Sequence, residues 1–330
     1  MSMNWTDAAR VLPASSEHGV ALCAFHDRLY LLYRSLPKDL EGPNDQSDYP
    51  QLHTTWYAGD DADWARNTMR VRDSDSTHAE DFRWPDTNSL VAYASRLWLT
   101  FKELPPSSGS GFNFAFGIGV SDDGVRWDLG KLGASNPMTL WLTTTWATLC
   151  GWGDTMYCAF PDKEDGRLQL FGSPDLRDDI PSNEYLLAAA HYSTIQIPEC
   201  YTDTGMAIAA YQGRLRIAYK ERGGSGIRVL SPQVDRNAAW DPARDIPLEQ
   251  QTSHAPALAV HAGALYLAYK DDKNARIWVT KTRDGREWED AQEVSGQYTS
   301  RDVALASYRD RLYLAYNGEH GNNIWVTSCT

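Results

Sequence analysis

The chain of 330 residues carries 31 Lys and Arg against 44 Asp and Glu, a net charge of −13, with 42% hydrophobic and 23% charged residues. That balance excludes a disordered or collagen-like chain, and its charge would repel a nucleic-acid backbone or an anionic membrane. Thirteen Trp and 17 Tyr against 8 Phe join apolar rings to polar tips, as suits a β-rich protein that handles polar, ring-shaped ligands.

The opening Met1-Ser2-Met3-Asn4-Trp5-Thr6-Asp7 has no basic or apolar leader pattern, and no apolar run reaches the roughly 18–20 residues of a membrane helix. The five cysteines show no CxxC pair and no metal-ligand spacing. Cys23, Cys150 and Cys158 sit in apolar, strand-like segments and are expected as buried reduced thiols. The expectation is a cytoplasmic protein, or one exported without a classical signal, with no cofactor, no metal, no nucleic-acid partner and no membrane insertion. A homo-oligomer is open.

Along the chain one block recurs, a short apolar strand followed by a polar turn and an apolar–aromatic–apolar triplet. Val20–Cys23 precedes Leu29-Tyr30-Leu31, Leu90–Tyr93 precedes Leu97-Trp98-Leu99, and Ala147–Cys150 precedes Met156-Tyr157-Cys158. Met206–Ala209 then precedes Leu215-Arg216-Ile217, Ala257–His261 precedes Leu265-Tyr266-Leu267, and Val303–Tyr308 precedes Leu312-Tyr313-Leu314. A third strand follows each triplet, clearest at Arg276–Thr280 and Asn323–Thr327. After it comes a turn of the form Ser/Thr-x-Asp-Gly-x-x-Trp, at Ser121–Trp127 and Thr282–Trp288, where Gly supplies positive φ and Asp caps. The Trp opens a fourth strand.

The last repeat stops at Thr330 after its third strand, and Trp5–Val11 matches the fourth strand Trp288–Val294. The fold expected is therefore all-β: a six-bladed β-propeller of four-stranded blades, one domain over 1–330, with the N-terminal strand closing the last blade. The blades are expected at about 17–73, 85–135, 145–190, 203–250, 254–296, and 301–330 plus 3–13.

Loops between strands 2 and 3, and connections from strand 4 to the next strand 1, open on one face and are long and unequal. Specificity is expected there. Eleven residues before each triplet, His18, Asp86, Thr145, Thr204, His254 and Arg301 form the mouth of the channel, with Asp302 beside the last. This polar, asymmetric ring reads either as one central site or as strands that meet a water-filled channel. Two His on different blades make no metal motif.

The Ser-x-Asp-Gly-x-x-Trp turns resemble shortened Asp-box turns of sialidase-like propellers. The last blade, with Leu312-Tyr313-Leu314-Ala315-Tyr316-Asn317-Gly318 and Asn322-Asn323-Ile324-Trp325, resembles the repeats of bacterial fucose-type propeller lectins. The likeness is clear over 251–330 plus 1–35, partial over 85–130 and 200–245, and poor over 135–200. A sialidase likeness implies three arginines that grip a carboxylate, a Tyr/Glu nucleophile pair and an Asp acid/base. Phe82-Arg83-Trp84-Pro85 is close to the Phe-Arg-x-Pro signature, although Trp replaces an aliphatic residue and a whole blade precedes it. The corresponding candidates are Arg83, Arg301, Glu199, Tyr201, and Asp86 or Asp203, with His254 in the central ring.

A lectin likeness implies an aromatic face for the sugar and side chains for its hydroxyls. Trp278 and Trp325 occupy equivalent third-strand positions, near Asn274, Arg276, Asn317, Glu319, Asn322 and Asn323, with His18, His254 and Arg301 at the mouth. Either Trp would also serve as core between blades. The leading expectation is a carbohydrate-binding propeller whose partner is a glycan or other small polar ligand. A glycan-processing enzyme and a protein-interaction scaffold are the alternatives.

Overall fold

The computed structural model describes residues 3–16, 18–35, 52–59, 64, 69–71, 89–103, 114–130, 142–143, 145–174, 194–234 and 245–330. Among them no α-helix occurs, so no helix is long and apolar enough to cross a membrane.

Strand β1 (Ala9–Ser15) stands apart from the sheet that follows it in sequence. That first sheet is an antiparallel run of β2 (Ala21–Phe25), β3 (Arg28–Arg34), β4 (Leu52–Tyr57) and β5 (Met69–Arg70). In the second, β6 (Leu90–Tyr93) pairs β7 (Arg96–Glu103), which pairs β8 (Phe114–Ser121); both β9 (Asp128–Gly130) and β10 (Leu142–Thr143) lie on β8. The third runs β11 (Thr148–Trp152), β12 (Thr155–Pro161), β13 (Arg167–Ser173), β14 (Ile195–Tyr201). The fourth runs β15 (Met206–Tyr211), β16 (Arg214–Lys220), β17 (Gly226–Leu230), β18 (Asp245–Gln251). The remaining strands, β19 (Ala257–His261), β20 (Ala264–Lys270), β21 (Arg276–Thr282), β22 (Gln292–Tyr308), β23 (Arg311–Gly318) and β24 (Asn323–Cys329), form one seven-stranded sheet with β1 at its edge.

That larger sheet holds two four-stranded units, because the 17 residues of β22 serve one as outer strand and the next as inner strand. Inner strands then follow one another in a ring: β2 packs on β6, β6 on β11, β11 on β15, β15 on β19, β19 on β22, and β22 back on β2. They enclose a channel of about 450 Å³ lined largely by Ala, Val, Leu and Cys side chains. This is the architecture of a β-propeller.

The N-terminal strand closes the ring. β1 pairs β24 with Ala9 opposite Val326 and Arg10 opposite Trp325, and Trp5 bridges Cys329 as Trp288 bridges Thr282 one repeat earlier. Thr6 donates its N–H to Ser328 O and accepts from Thr327 Oγ1. An edge that would otherwise recruit other strands is covered.

The triplets fill the spaces between sheets. Leu29, Leu31 and Tyr33 of β3 pack with Ala304, Ala306 and Tyr308 of β22, and Leu265 and Leu267 are fully buried one repeat earlier. Each such Leu contributes about 1.5–3 kcal/mol by leaving water. The Asp-Gly turns hold as their residues dictate: Asp123 Oδ1 accepts the N–H groups of Val125 and Arg126, both at 2.8 Å, and Trp127 is fully buried behind them. Cys23, Cys150, Cys158, Cys200 and Cys329 are all buried free thiols.

Three boundaries differ from expectation. The third sheet takes its outer strand from Ile195–Tyr201, beyond the expected end at 190. Its alternation of Ile195, Ile197 and Cys200 puts apolar side chains on one face, a pattern that Pro198 and the positive φ of Glu199 obscure in the sequence. In the second sheet, Leu142–Thr143 adds a pairing beyond the expected end at 135. Between the last two units β22 runs unbroken where a connection at 297–300 is expected, because bulges rather than a loop turn the chain inward.

Candidate functional site

At one end of the channel the same short turn precedes five of the six inner strands, and the corresponding residues before β6 lie outside the described ones. Ser16, Thr143, Thr202, Thr252 and Thr299 are buried, and each hydroxyl accepts the N–H two residues on, from His18, Thr145, Thr204, His254 and Arg301, at 3.1 to 3.2 Å. Four of them, all but Thr143, also donate to the carbonyl of that same residue. These hydroxyl turns fix the backbone from which the mouth residues project. The structure thus brings His18, Thr145, Thr204, His254 and Arg301 to equivalent places, and Asp86 lies outside the described residues.

Around the mouth the partners are specific. Arg34 Nη1 stands 2.6 Å from His18 Nε2, and the His18 ring meets Trp146 edge-on at 6.4 Å. Trp146 also packs on Gly205, where a Cβ would come within 2.5 Å of its Cδ1, so the indole lies across the mouth from the third sheet to the first. Lys220 Nζ holds Asp203 Oδ1 at 2.6 Å. One blade on, Lys270 Nζ meets Ser253 Oγ at 2.9 Å, and that oxygen lies 2.9 Å from His254 Nδ1. Burial, and then the charges of Lys270, Arg301 and Lys220, push the His254 imidazolium down to about 4, so it is neutral near pH 7. Asp302 Oδ1 accepts the N–H of Ala255 and is committed to the backbone.

A second feature lies outward from the mouth on the same face. Between the bulge in β22 and the β23–β24 hairpin opens a cleft of about 430 Å³. Register slips between Arg276 opposite Tyr298 and Trp278 opposite Glu293, which pushes Gly296, Gln297 and Tyr298 outward. Gly296 sits at φ 74° and Tyr298 is 42% exposed. Trp325 and Asn323 of β24 form the facing wall, with Glu319 and His320 of the hairpin at the rim. Tyr316 donates its hydroxyl to Gln297 Oε1, which fixes the amide at the back of the cleft. Aromatic faces thus meet an amide, a carboxylate and an imidazole in one open groove, the combination a sugar ring requires.

Other expected ligand residues are placed differently. Trp278 is half-buried against Tyr269, Leu267 and Val229, with its Nε1 buried, whereas Trp325, half-buried as well, has its edge in the cleft. Asn274 Oδ1 accepts Arg276 N–H, and Arg276 Nη1 meets Glu293 Oε2 at 2.9 Å, so both hold their own hairpin. Asn317 is 1% exposed and donates to Ser16 O at 2.5 Å; Asn322 O accepts Ser16 N–H. The Asn317 side chain and the Asn322 backbone thus fasten the N-terminal segment. Of the lectin candidates outside the mouth, the cleft gathers Trp325, Glu319 and Asn323.

Of the candidate catalytic residues, Arg83 and the rest of Phe82–Pro85 lie outside the described residues, as does Asp86. Glu199 and Tyr201 lie on β14 at the bulge positions that Gly296 and Tyr298 occupy two blades later. Glu199 is exposed with φ 60°, while Arg167 lies over the Tyr201 ring, Cζ 5.6 Å from its centroid. Among the described residues no group of three His, Cys, Asp or Glu could hold a metal ion. Sequence reasoning missed Trp146, Gln297, Tyr298, Tyr316 and His320. The signal for Tyr298 was its place one residue before the recurrent Ser/Thr, a position shared with Tyr201.

No sequence-family model matches the chain, and no curated protein is similar to it in sequence. Solved structures do resemble it. Trypanosoma rangeli sialidase in complex with sialic acid superposes with a TM-score of 0.60 at 11% identity, over 98% of this chain and 59% of that one. The chain thus spans little more than half the length of that sialidase. The fucose-specific lectin from Aleuria aurantia gives a TM-score of 0.57 at 12% identity, over 96% of this chain and 92% of the lectin. A protein of unknown function from Dyadobacter fermentans gives 0.63 at 11% identity, over 99% and 98%. At these identities the likenesses establish the β-propeller fold.

Proposed function

We propose that the protein is a single six-bladed propeller that binds carbohydrate in the cleft between β22 and the β23–β24 hairpin. The observation that carries this reading is the open pairing of Trp325 and Tyr298 with Gln297, Glu319, His320 and Asn323. Apolar C–H faces of a sugar would lie on the rings, while its hydroxyls would replace water on the amide, carboxylate and imidazole. The full-length likeness to a fucose-specific lectin supports the reading at the level of the fold.

We take the protein to be a binding module rather than a glycoside hydrolase. Arg167 lies over the Tyr201 ring, a contact that weakens the nucleophile pair. The depressed imidazolium of His254 at the channel mouth is the observation that favours an enzyme, since such groups gather at reactive centres. A glycan array probed with purified protein tests the first reading: hits that vanish in Trp325→Ala are expected, and an array blank at high protein concentration would sink it. Turnover of fluorogenic sialosides, lost in both Arg301→Ala and His254→Ala, would transfer the function to the mouth.

A further inference from the structure

At the end of the second strand of successive blades a basic side chain faces the middle residue of the hydroxyl turn. In the fourth sheet this pair is complete, Lys220 with the Asp203 carboxylate at 2.6 Å. In the next, the lysine is retained as Lys270 and the acid is replaced by Ser253, whose hydroxyl takes the same position at 2.9 Å. Among the described residues, the other hydrogen bond of Lys270 runs to the carbonyl of Asp271. Asp271, Asp272 and Glu319 act on Lys270 from a distance, yet none makes the close ion pair that Asp203 makes.

Cations and donors stand around this gap, and the nearby Asp302 carboxylate is engaged by the N–H of Ala255. His254 is joined to Ser253 Oγ at Nδ1, and Arg301 of the next blade is exposed on the same rim, its backbone held by Thr299. Lys270, Ser253 and His254 are joined through Ser253 Oγ, and Asp302 Oδ1, which accepts the N–H of Ala255 at 2.9 Å, brings the turn that carries Arg301 next to them. A half-buried ammonium, a guanidinium and an imidazole N–H around a missing carboxylate form a receptor for an oxyanion. The net charge of −13 makes a local cationic spot the more discriminating.

We infer that this part of the channel mouth binds an oxyanion group, a carboxylate or a phosphate or sulfate, between Lys270, Ser253, His254 and Arg301, in the place that the Asp203 carboxylate fills one blade earlier. The site is separate from the cleft around Trp325 and stands whether or not that cleft takes a sugar.

The test titrates the full chain at pH 7 and constant ionic strength with sodium phosphate, sodium sulfate or sodium acetate, with chloride as balance, and follows thermal unfolding and the His254 imidazole resonances. A saturable response is expected, with half-saturation shifted at least tenfold by Lys270→Met and by Ser253→Asp. Ser253→Asp rebuilds the internal pair of the preceding blade, so its loss of response would not arise from unfolding. Lys273→Met, which removes an exposed charge from the same hairpin, should respond as the parent does. A stronger response to phosphate or sulfate assigns a tetrahedral anion, and a stronger one to acetate a carboxylate. A response that never saturates, or one equal in Ser253→Asp and the parent, overturns the inference.

Discussion

The indole nitrogen of Trp325 lies 3.0 Å from the point that a Cβ on Gly318 would occupy, so the missing side chain at 318 leaves the edge of Trp325 open to the cleft. In the preceding blade Asp271 stands at the equivalent position and accepts the N–H of Lys273, and the Nε1 of Trp278 is buried. A side chain at 318 would stand where the glycine leaves space beside that indole.

Gly318→Asp should therefore close the cleft by copying that blade. We expect carbohydrate affinity to fall at least tenfold, about 1.4 kcal/mol, with circular dichroism unchanged. Isothermal titration against the best glycan checks it; unchanged affinity would remove Trp325 from the site.

Acid should destabilise the fold in two stages. Folding lowers the His254 pKa from 6.5 to about 4, so the unfolded chain takes up a proton first. Its contribution is complete above about pH 6.5 and is lost as pH falls from there to about 4. Discounted for partial exposure, this is on the order of 1 kcal/mol. Asp123 behaves differently: burial opposes ionisation, but the N–H groups of Arg126 and Val125 and the Arg126 side chain hold the carboxyl at about 2. Its contribution is present above about pH 4 and is lost between there and about 2. Denaturant midpoints against pH should show both stages, and His254→Gln should flatten only the upper one.

Deleting residues 3–15 should expose β24 along its whole length. The loss of Ala9–Val326 and Arg10–Trp325 pairing, with the bonds of Thr6, leaves a bare edge in the closing sheet. We expect a drop of at least 10 °C in thermal midpoint and concentration-dependent association by light scattering. An unchanged midpoint would mean that β1 is ornamental to the ring.

Much of this architecture was legible because a propeller repeats. Six triplets, the Asp-Gly turns and the match of Trp5 to Trp288 each follow from local chemistry: two-sided burial, positive φ, and a Trp that opens the outer strand. The cleft was less legible. Trp278 and Trp325 are equivalent in sequence and both half-buried, and Trp325 has Gly318 beside its indole nitrogen where the preceding blade has Asp271. Tyr298 reaches the surface through a bulge, and a register slip of this kind leaves no periodic trace. Asn317 looked like a ligand residue because polar residues near a loop usually face water; here it is spent on the Ser16 carbonyl.

Capping is open to test as well. Thr252→Val removes the hydroxyl that holds both the N–H and the carbonyl of His254. A buried donor left unsatisfied costs about 1–3 kcal/mol, and the same change at Thr202 should cost a similar amount. A loss at Thr252 alone would show that the turn serves the site rather than the scaffold.

The most direct measurement is tryptophan fluorescence titration with the strongest array glycan, run in parallel on the parent, Trp325→Ala and Trp278→Ala. Saturable binding in the parent and in Trp278→Ala, with at least a tenfold loss in Trp325→Ala, is the predicted result. Equal affinity in Trp325→Ala and the parent would contradict carbohydrate recognition at this cleft.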